Sequence, residues 1–152
     1  MTIKTLGDIV NWTREFHQQL AECTEHCSQE NKNERAQMML TYLSQHEARL
    51  SEVVAGFEKL GQKKVLETWT NEYFNLHPIL ARESCDAPFS EMRSDDIVDS
   101  ILSQHEEIIE LYKFLEDRAE ISSVRDLMKL LRELEHNEVL LMVQAINRFA
   151  DM

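Results

Sequence analysis

Four ionisable residues interrupt otherwise apolar helical stripes, and their types suit the binding of a metal ion. Glu47 is the charged residue at a position that belongs to the apolar stripe of residues 38–54. His17, His105 and Glu135 hold the same kind of position in three other stretches. Because burying an unpaired carboxylate costs several kcal/mol, a helix that does so needs a partner for it. The pattern therefore predicts a shared polar site in the protein interior.

Two kinds of chemistry would satisfy this set of side chains. Imidazole nitrogens and carboxylate oxygens ligate iron, manganese or zinc, and helix bundles hold such ions in their cores. Alternatively, each His pairs with a Glu in a metal-free, hydrogen-bonded cluster that fixes the register of the helices. Glu138, three residues after Glu135 on the same helical face, adds a fifth candidate ligand. The residues alone leave both possibilities open.

The elements that would position these side chains are four long helices. Apolar periodicity predicts them at residues 6–28, 33–60, 94–119 and 122–149. Gly61 ends the second helix, and Ser94 or Asp95 caps the third. Each of the four ionisable positions falls near the middle of its helix, so helices packed side by side would bring them to one level.

The chain is expected to form one all-α domain over residues 1–152, a four-helix bundle. Two hairpins, residues 6–60 and 94–150, are joined by a crossover at 61–93 that contains a short amphipathic helix near 65–74. Three Gly and two Pro in 152 residues fit a fold with few turns. The length of the connection favours a crossover bundle over a simple up-down-up-down arrangement.

The two halves of the sequence match at a shift of 88 residues. His17 aligns with His105 and Glu47 with Glu135, and apolar positions between them stay in phase. This correspondence predicts an internal duplication of one helical hairpin.

These features resemble the ferritin-like superfamily, in particular rubrerythrin-like and bacterioferritin-like chains. In those proteins each hairpin supplies a Glu from its first helix and a Glu-x-x-His from its second. This sequence keeps the second-helix Glu in both halves, as Glu47 and Glu135. Tyr112, seven residues after His105, stands at a spacing where those proteins often carry Tyr. The resemblance implies a ferritin-like bundle and a di-iron-type centre.

The sequence departs from the ligand pattern of that superfamily at four positions. His17 and His105 replace the first-helix Glu, while Leu50 and Glu138 replace the His of Glu-x-x-His. Two His and three Glu remain as ligands for one or two ions, and the half that contains Leu50 is poorer in ligands. If metal binds, O₂ or peroxide is expected to bind where Leu50 leaves the coordination incomplete.

Composition restricts the partners. The net charge of −12 disfavours binding to nucleic acid or to anionic membrane surfaces, which need basic patches. No apolar run reaches the roughly 20 residues of a membrane-spanning helix, and the N-terminus lacks a signal-peptide core, so a cytoplasmic protein is expected. Cys23, Cys27 and Cys85 suggest no disulfide framework, and the first two are expected to be core-filling thiols.

Two functional hypotheses follow. The first is a metal-binding protein, with His17, Glu47, His105, Glu135 and Glu138 as ligands for one or two iron, manganese or zinc ions and a role in redox chemistry or oxidative stress. The second is a metal-free, non-enzymatic homodimer that acts as a scaffold or binds a protein partner. The aromatic residues of the crossover make a homodimer plausible in either case. No catalytic residue can be assigned, and whether the protein is an enzyme stays open.

Overall fold

Four long helices account for nearly all of the chain that the structure, a computed structural model, describes: residues 5–60 and 88–150. They are α1 (Leu6–Glu30), α2 (Glu34–Leu60), α3 (Ser94–Arg118) and α4 (Ser122–Ala150). Every predicted helix end lies within two residues of the observed one. The predicted short helix near 65–74 lies outside the described residues.

Local signals fix the ends of α1. The Thr5 hydroxyl accepts a hydrogen bond from the Asp8 amide at 3.2 Å, and the Thr5 amide donates to the Asp8 carboxylate at 3.1 Å. This reciprocal pair satisfies two backbone N–H groups that the first turn leaves without partners. At the other end, the Asn31 side chain donates to the carbonyls of Phe89 and Met92 at 2.9 and 3.0 Å. The α1–α2 turn therefore holds the segment that leads into α3.

The start of α3 differs from the prediction. Arg93 is the N-cap residue, and no side chain caps the helix by a hydrogen bond, so the expected capping by Ser94 or Asp95 is wrong. Asp95 and Asp96 instead lie in the first turn. Their negative charges there interact favourably with the helix dipole.

The directions of the helices explain why α2 and α3 need a long connection. Turns of three residues make α1 antiparallel to α2 and α3 antiparallel to α4. Between α2 and α4, Tyr42 contacts Phe149 and His46 contacts Glu138, so these two helices are also antiparallel. It follows that α2 and α3 run in the same direction, and the chain between them must join opposite ends of the bundle. The predicted crossover arrangement is confirmed.

The core contains residues of all four helices, as the apolar stripes predicted. Helical spacing does not decide one position of α4: Leu127 lies in the same apolar stripe as Val124 and Leu131 but is only partly buried, and its neighbour Met128 is buried instead. The largest fully buried apolar side chains include Leu20, Leu43, Leu50, Ile101, Ile108, Tyr112 and Phe89.

The cysteines differ from their predicted state. Cys23 takes part in a disulfide, so the expectation that it is a thiol is wrong. Cys27 is a free thiol, partly buried against the core as predicted. None of the described helices is both long and apolar enough to cross a membrane.

Candidate metal centre

Each helix delivers one ionisable side chain to the centre of the bundle. His17, Glu47, His105 and Glu135 lie within one residue of the midpoints of α1, α2, α3 and α4. Because the helices are of similar length and packed side by side, their midpoints meet at one level. All four side chains are 0% exposed. We call these four residues the core tetrad.

Four short hydrogen bonds close the core tetrad into a ring. His17 Nδ1 lies 2.7 Å from Glu47 Oε2, and His17 Nε2 lies 2.6 Å from Glu135 Oε1. His105 Nδ1 lies 2.9 Å from Glu135 Oε2, and His105 Nε2 lies 2.5 Å from Glu47 Oε1. Every imidazole nitrogen and every carboxylate oxygen of the tetrad therefore has one partner within it.

The bonds of the core tetrad follow a two-fold pattern. Each His uses Nδ1 to bind the Glu of its own hairpin and Nε2 to bind the Glu of the other hairpin. The two imidazoles lie 5.2 Å apart between centroids, with their planes 30° apart. This arrangement supports the predicted duplication, which as a statement about ancestry stays a prediction.

Counting protons explains how four ionisable groups tolerate complete burial. A carboxylate accepts hydrogen bonds at both oxygens, and an imidazolium donates from both nitrogens. Two imidazolium and two carboxylate groups therefore fill four contacts with four protons and carry no net charge. Complete pairing removes the penalty that an isolated buried charge would carry.

Burial and pairing act in opposite directions on the pKa values of the core tetrad. Burial lowers the pKa of His17, but the charges of Glu135 and Glu47 outweigh it and raise that pKa to about 9. The pKa of His105 is likewise raised well above its usual value, against the effect of burial. Burial raises the pKa of Glu47 and Glu135, but the two His bring each to about 2. The charged forms therefore predominate at neutral pH.

A neutral hydrogen-bonded pair lies beside the core tetrad. The Tyr112 hydroxyl, fully buried, donates to the Thr13 hydroxyl at 2.9 Å, and Thr13 donates to the Val10 carbonyl at 2.9 Å. Burial and the negative charge of Glu135 both raise the pKa of Tyr112. The sequence did not predict this contact between Thr13 and Tyr112, because it depends on how α1 packs against α3.

The two His have different neighbours. Phe16 packs edge-on against His17, with centroids 6.0 Å apart. Next to His105, Gln104 is 6% exposed, and its Oε1 has no hydrogen-bond partner among the described residues. The structure therefore packs an aromatic ring against His17 and leaves one amide oxygen buried at the residue before His105.

Part of the core tetrad has the spacing of a metal site. His17, His105 and Glu135 each offer one donor atom, and these three atoms lie within 4.8 Å of one another. Glu47 bonds to both imidazoles of this group. Two imidazoles and two carboxylates suit iron, manganese and zinc, so the donor set fits the predicted metals. Leu50, where the resembled proteins carry His, is buried and offers no donor.

The structure does not bring the fifth predicted ligand into the core tetrad. Glu138 is 12% exposed at its side chain and bonds through Oε2 to His46 Nδ1 at 3.1 Å. The same oxygen lies 3.7 Å from a guanidinium nitrogen of Arg49. Glu138 therefore has an imidazole and a guanidinium group of α2 as its own partners. Sequence reasoning gave His46 no role, because its partner lies on another helix.

A second candidate metal site is also not assembled. Cys23, His26 and Cys27 lie within about one helical turn, and two thiols with an imidazole are a donor set that suits a soft metal ion. Cys23 is in a disulfide, while His26 is exposed and bonded to Glu30 at 3.2 Å. Within the described part of the chain, the core tetrad holds the one group with metal-ligand spacing.

Comparison with known proteins identifies the fold. No protein-family model and no curated protein matches the sequence. The chain is similar in structure to a Thermotoga maritima protein whose name places it among ferritin-like diiron-carboxylate proteins. The two share 14% of their residues, the match covers 95% of each chain, and the TM-score is 0.59. Together with the helix directions described above, this similarity shows that the chain has the ferritin-like four-helix-bundle fold.

Proposed function

We propose that this protein binds a divalent transition-metal ion at the core tetrad. The observation that carries the proposal is the convergence of donor atoms from His17, His105 and Glu135 within 4.8 Å at the buried midpoint of three helices. The name of the similar Thermotoga maritima protein, a ferritin-like diiron-carboxylate protein, supports metal binding by this fold. The closed hydrogen-bond ring favours one ion, the lower of the two predicted numbers.

Metal binding requires the core tetrad to give up protons. Each of its four contacts holds a proton between a nitrogen and an oxygen. A metal ligand must present a lone pair, so His binds as the neutral imidazole and Glu as the carboxylate. Bound iron or manganese would supply redox chemistry, and bound zinc would act as a Lewis acid.

The proposal is tested by measuring metal in the full chain. We would express the protein in iron-replete medium, purify it without chelator, and determine iron, manganese and zinc by mass spectrometry. About one ion per chain is expected. The matched variant Glu135→Gln keeps the shape of the side chain but removes its charge, and should lose the metal while circular dichroism stays unchanged. A metal-free native protein, or a variant with the same metal content, would refute the proposal.

The redox role is a further step that depends on the metal. If iron is the occupant, the protein should consume O₂ or peroxide during oxidation of added Fe(II), and Glu135→Gln should not. An oxidative-stress role requires this activity. Bound zinc together with no reaction towards peroxide would rule out that role and leave metal binding intact.

The second candidate function is that of a metal-free bundle that serves as a scaffold. The specific observation in its favour is that every imidazole nitrogen and carboxylate oxygen of the core tetrad has a hydrogen-bond partner within the tetrad. In that case the four residues fix the register of the helices. Replacing Glu47 and Glu135 together with Gln should then preserve fold and partner binding. A native protein that is purified with a stoichiometric metal would exclude this alternative.

A further inference from the structure

Helix α4 exposes more large hydrophobic side chains than any other described helix. Seven large hydrophobic side chains are exposed in the described part of the chain, and four of them belong to α4. Leu130 is 51% exposed, Leu140 48% and Leu141 45%. Single exposed hydrophobic residues are ordinary, but several on one helix indicate an interaction surface.

Two of the exposed hydrophobic residues of α4, Leu130 and Leu141, belong to a stripe with the spacing of a coiled coil. Leu127, Leu130, Leu134, Asn137 and Leu141 are separated by three and four residues in alternation. Residues at this spacing form one stripe that faces a partner helix. Leu127 and Leu134 touch the core at their edges, while Leu130, Asn137 and Leu141 are exposed. We call these five residues the outer seam.

The outer seam is distinct from the face of α4 that packs in its own bundle. Met128, Leu131, Glu135 and Met142 form that inner face and are buried. Because one helix of 29 residues carries two stripes, it can pack in its own bundle and still offer a second face to a neighbour.

The balanced charge of α4 allows a second copy of this chain to pack against it. The whole chain carries a net charge of −12, so two copies repel each other over most of their surfaces. Helix α3 has eight acidic residues against two basic ones, and α1 has five against one. Helix α4 has four of each. Two α4 helices can therefore approach without the repulsion that two α1 or two α3 helices would experience.

An antiparallel pair of α4 helices matches both the apolar and the charged positions. In one register of this pair, Leu130 lies against Leu141 of the second copy. Because the pair is two-fold symmetric, this contact occurs twice. Leu134 then faces Asn137 of the second copy. In the same register Arg148 comes within one helical turn of Asp126 of the second copy. Both Asp126 and Arg148 are exposed.

We propose that the outer seam of α4 is the docking surface for a second copy of this chain, in an antiparallel α4–α4 pair that brings Leu130 against Leu141 of the second copy. Asn137 weakens the seam, because in this register it faces Leu134 of the second copy, which offers its amide no hydrogen-bond partner. The proposal concerns a different face of α4 from the core tetrad and is independent of metal binding.

The test compares the full-length protein with two exposed-surface variants by sedimentation equilibrium. The native chain should form a dimer of twice 17.9 kDa at micromolar concentration. Leu130→Glu with Leu141→Glu should raise the dissociation constant by about 100-fold or more, since both contacts between Leu130 and Leu141 are lost. Val143→Glu is the matched control. Val143 is 37% exposed on the same helix but points about 160° away from Leu141 around the helix axis.

The orientation of the helices is tested by exchanging the charged ends. Asp126→Arg should weaken the dimer by bringing two cations together, and Asp126→Arg with Arg148→Asp should restore it. A parallel pair would show no such rescue. A native chain that stays monomeric at high micromolar concentration, or a dimer that survives Leu130→Glu with Leu141→Glu, would overturn the proposal. Circular dichroism of each variant checks that the bundle itself is intact.

Discussion

His17 Nε2 lies 2.6 Å from Glu135 Oε1, and this bond joins two residues that are 118 positions apart and belong to different hairpins. The other imidazole nitrogen of His17 binds Glu47 within its own hairpin. One buried side chain thus ties together three helices. The core tetrad is therefore a structural junction of the bundle, whether or not it also holds a metal.

The first prediction separates loss of charge from loss of pairing at Glu135. In the metal-free protein, Glu135→Ala should destabilise the fold by about 3–5 kcal/mol, because it leaves imidazole groups buried without acceptors. Glu135→Gln should cost only about 1–2 kcal/mol. The amide donates to one His and accepts from the other, so one His can become neutral and all four contacts stay filled. Urea unfolding of the native protein and both variants measures the difference.

The control for this comparison is Glu133, which lies two residues earlier on α4 and is exposed. Glu133→Ala and Glu133→Gln should each change the stability by less than about 0.5 kcal/mol. Equal costs for the Ala and Gln variants at Glu135 would show that the hydrogen-bond ring does not operate in solution.

The second prediction concerns the pH dependence of stability in the metal-free protein. The pKa of His17 rises on folding from 6.5 to about 9, so its contribution is complete below pH 6.5 and is lost as the pH rises towards 9. The pKa of Glu47 and of Glu135 falls from 4.5 to about 2, so their contribution is complete above pH 4.5 and is lost as the pH falls. The core tetrad should stabilise the fold most between about pH 4.5 and 6.5.

A matched variant should reverse the change in stability that occurs as the pH rises above 6.5. In the double variant of Glu47→Gln and Glu135→Gln, both His must be neutral to match the amides, so protonation opposes folding. Its stability should rise as the pH increases through 6.5, while that of the native protein falls by an amount on the order of 3 kcal/mol for His17 alone by pH 9. Denaturant titrations from pH 4 to 10 measure both profiles. Parallel profiles would contradict the assignment of imidazolium groups.

The sequence was sufficient to predict the core tetrad because each member is the ionisable residue of an apolar stripe near the middle of a long helix. The sequence was not sufficient to predict where the Glu138 carboxylate lies. Spacing along α4 puts Glu138 on the face of Glu135, but the position of its carboxylate depends on His46, which α2 presents at the edge of the bundle. Periodicity along one helix specifies a face, whereas the partner depends on how the neighbouring helix packs.

The partial burial of Leu127 has a similar cause. The apolar residues of α4 follow two overlapping stripes, and Leu127 satisfies the spacing of both. Only the packing of the bundle decides that Met128 is buried and that Leu127 lies at the edge. The sequence pattern therefore predicted the helix and its inner face but not the boundary between the inner face and the outer seam.

The third prediction uses the position of Glu138 to define the ligands. Glu138→Gln should leave the metal content unchanged, because its carboxylate bonds to His46 and lies near Arg49 instead of the core tetrad. Glu135→Gln should abolish metal binding. Metal analysis of both variants after identical purification makes the comparison. If Glu138→Gln also loses the metal, Glu138 must leave His46 to become a ligand, and the metal-bound site would differ from the geometry described above.

The fourth prediction is an asymmetry between Tyr112 and Thr13. Tyr112→Phe removes a donor and leaves Thr13 bonded to the Val10 carbonyl, so it should cost about 0.5–1.5 kcal/mol. Thr13→Val leaves the buried Tyr112 hydroxyl without its acceptor. A buried polar group without a partner costs about 1–3 kcal/mol, so this variant should be the less stable of the two.

The double variant tests whether one hydrogen bond accounts for both effects. In Thr13→Val with Tyr112→Phe, neither partner is left unpaired, so the double variant should be more stable than Thr13→Val alone. A double-mutant cycle from urea unfolding gives the coupling directly. Additive costs would mean that the two hydroxyls do not bond in solution and that α1 and α3 pack differently at this level. Coupling, in contrast, would fix the register of α1 against α3 one turn from His17, independently of the charges in the core tetrad.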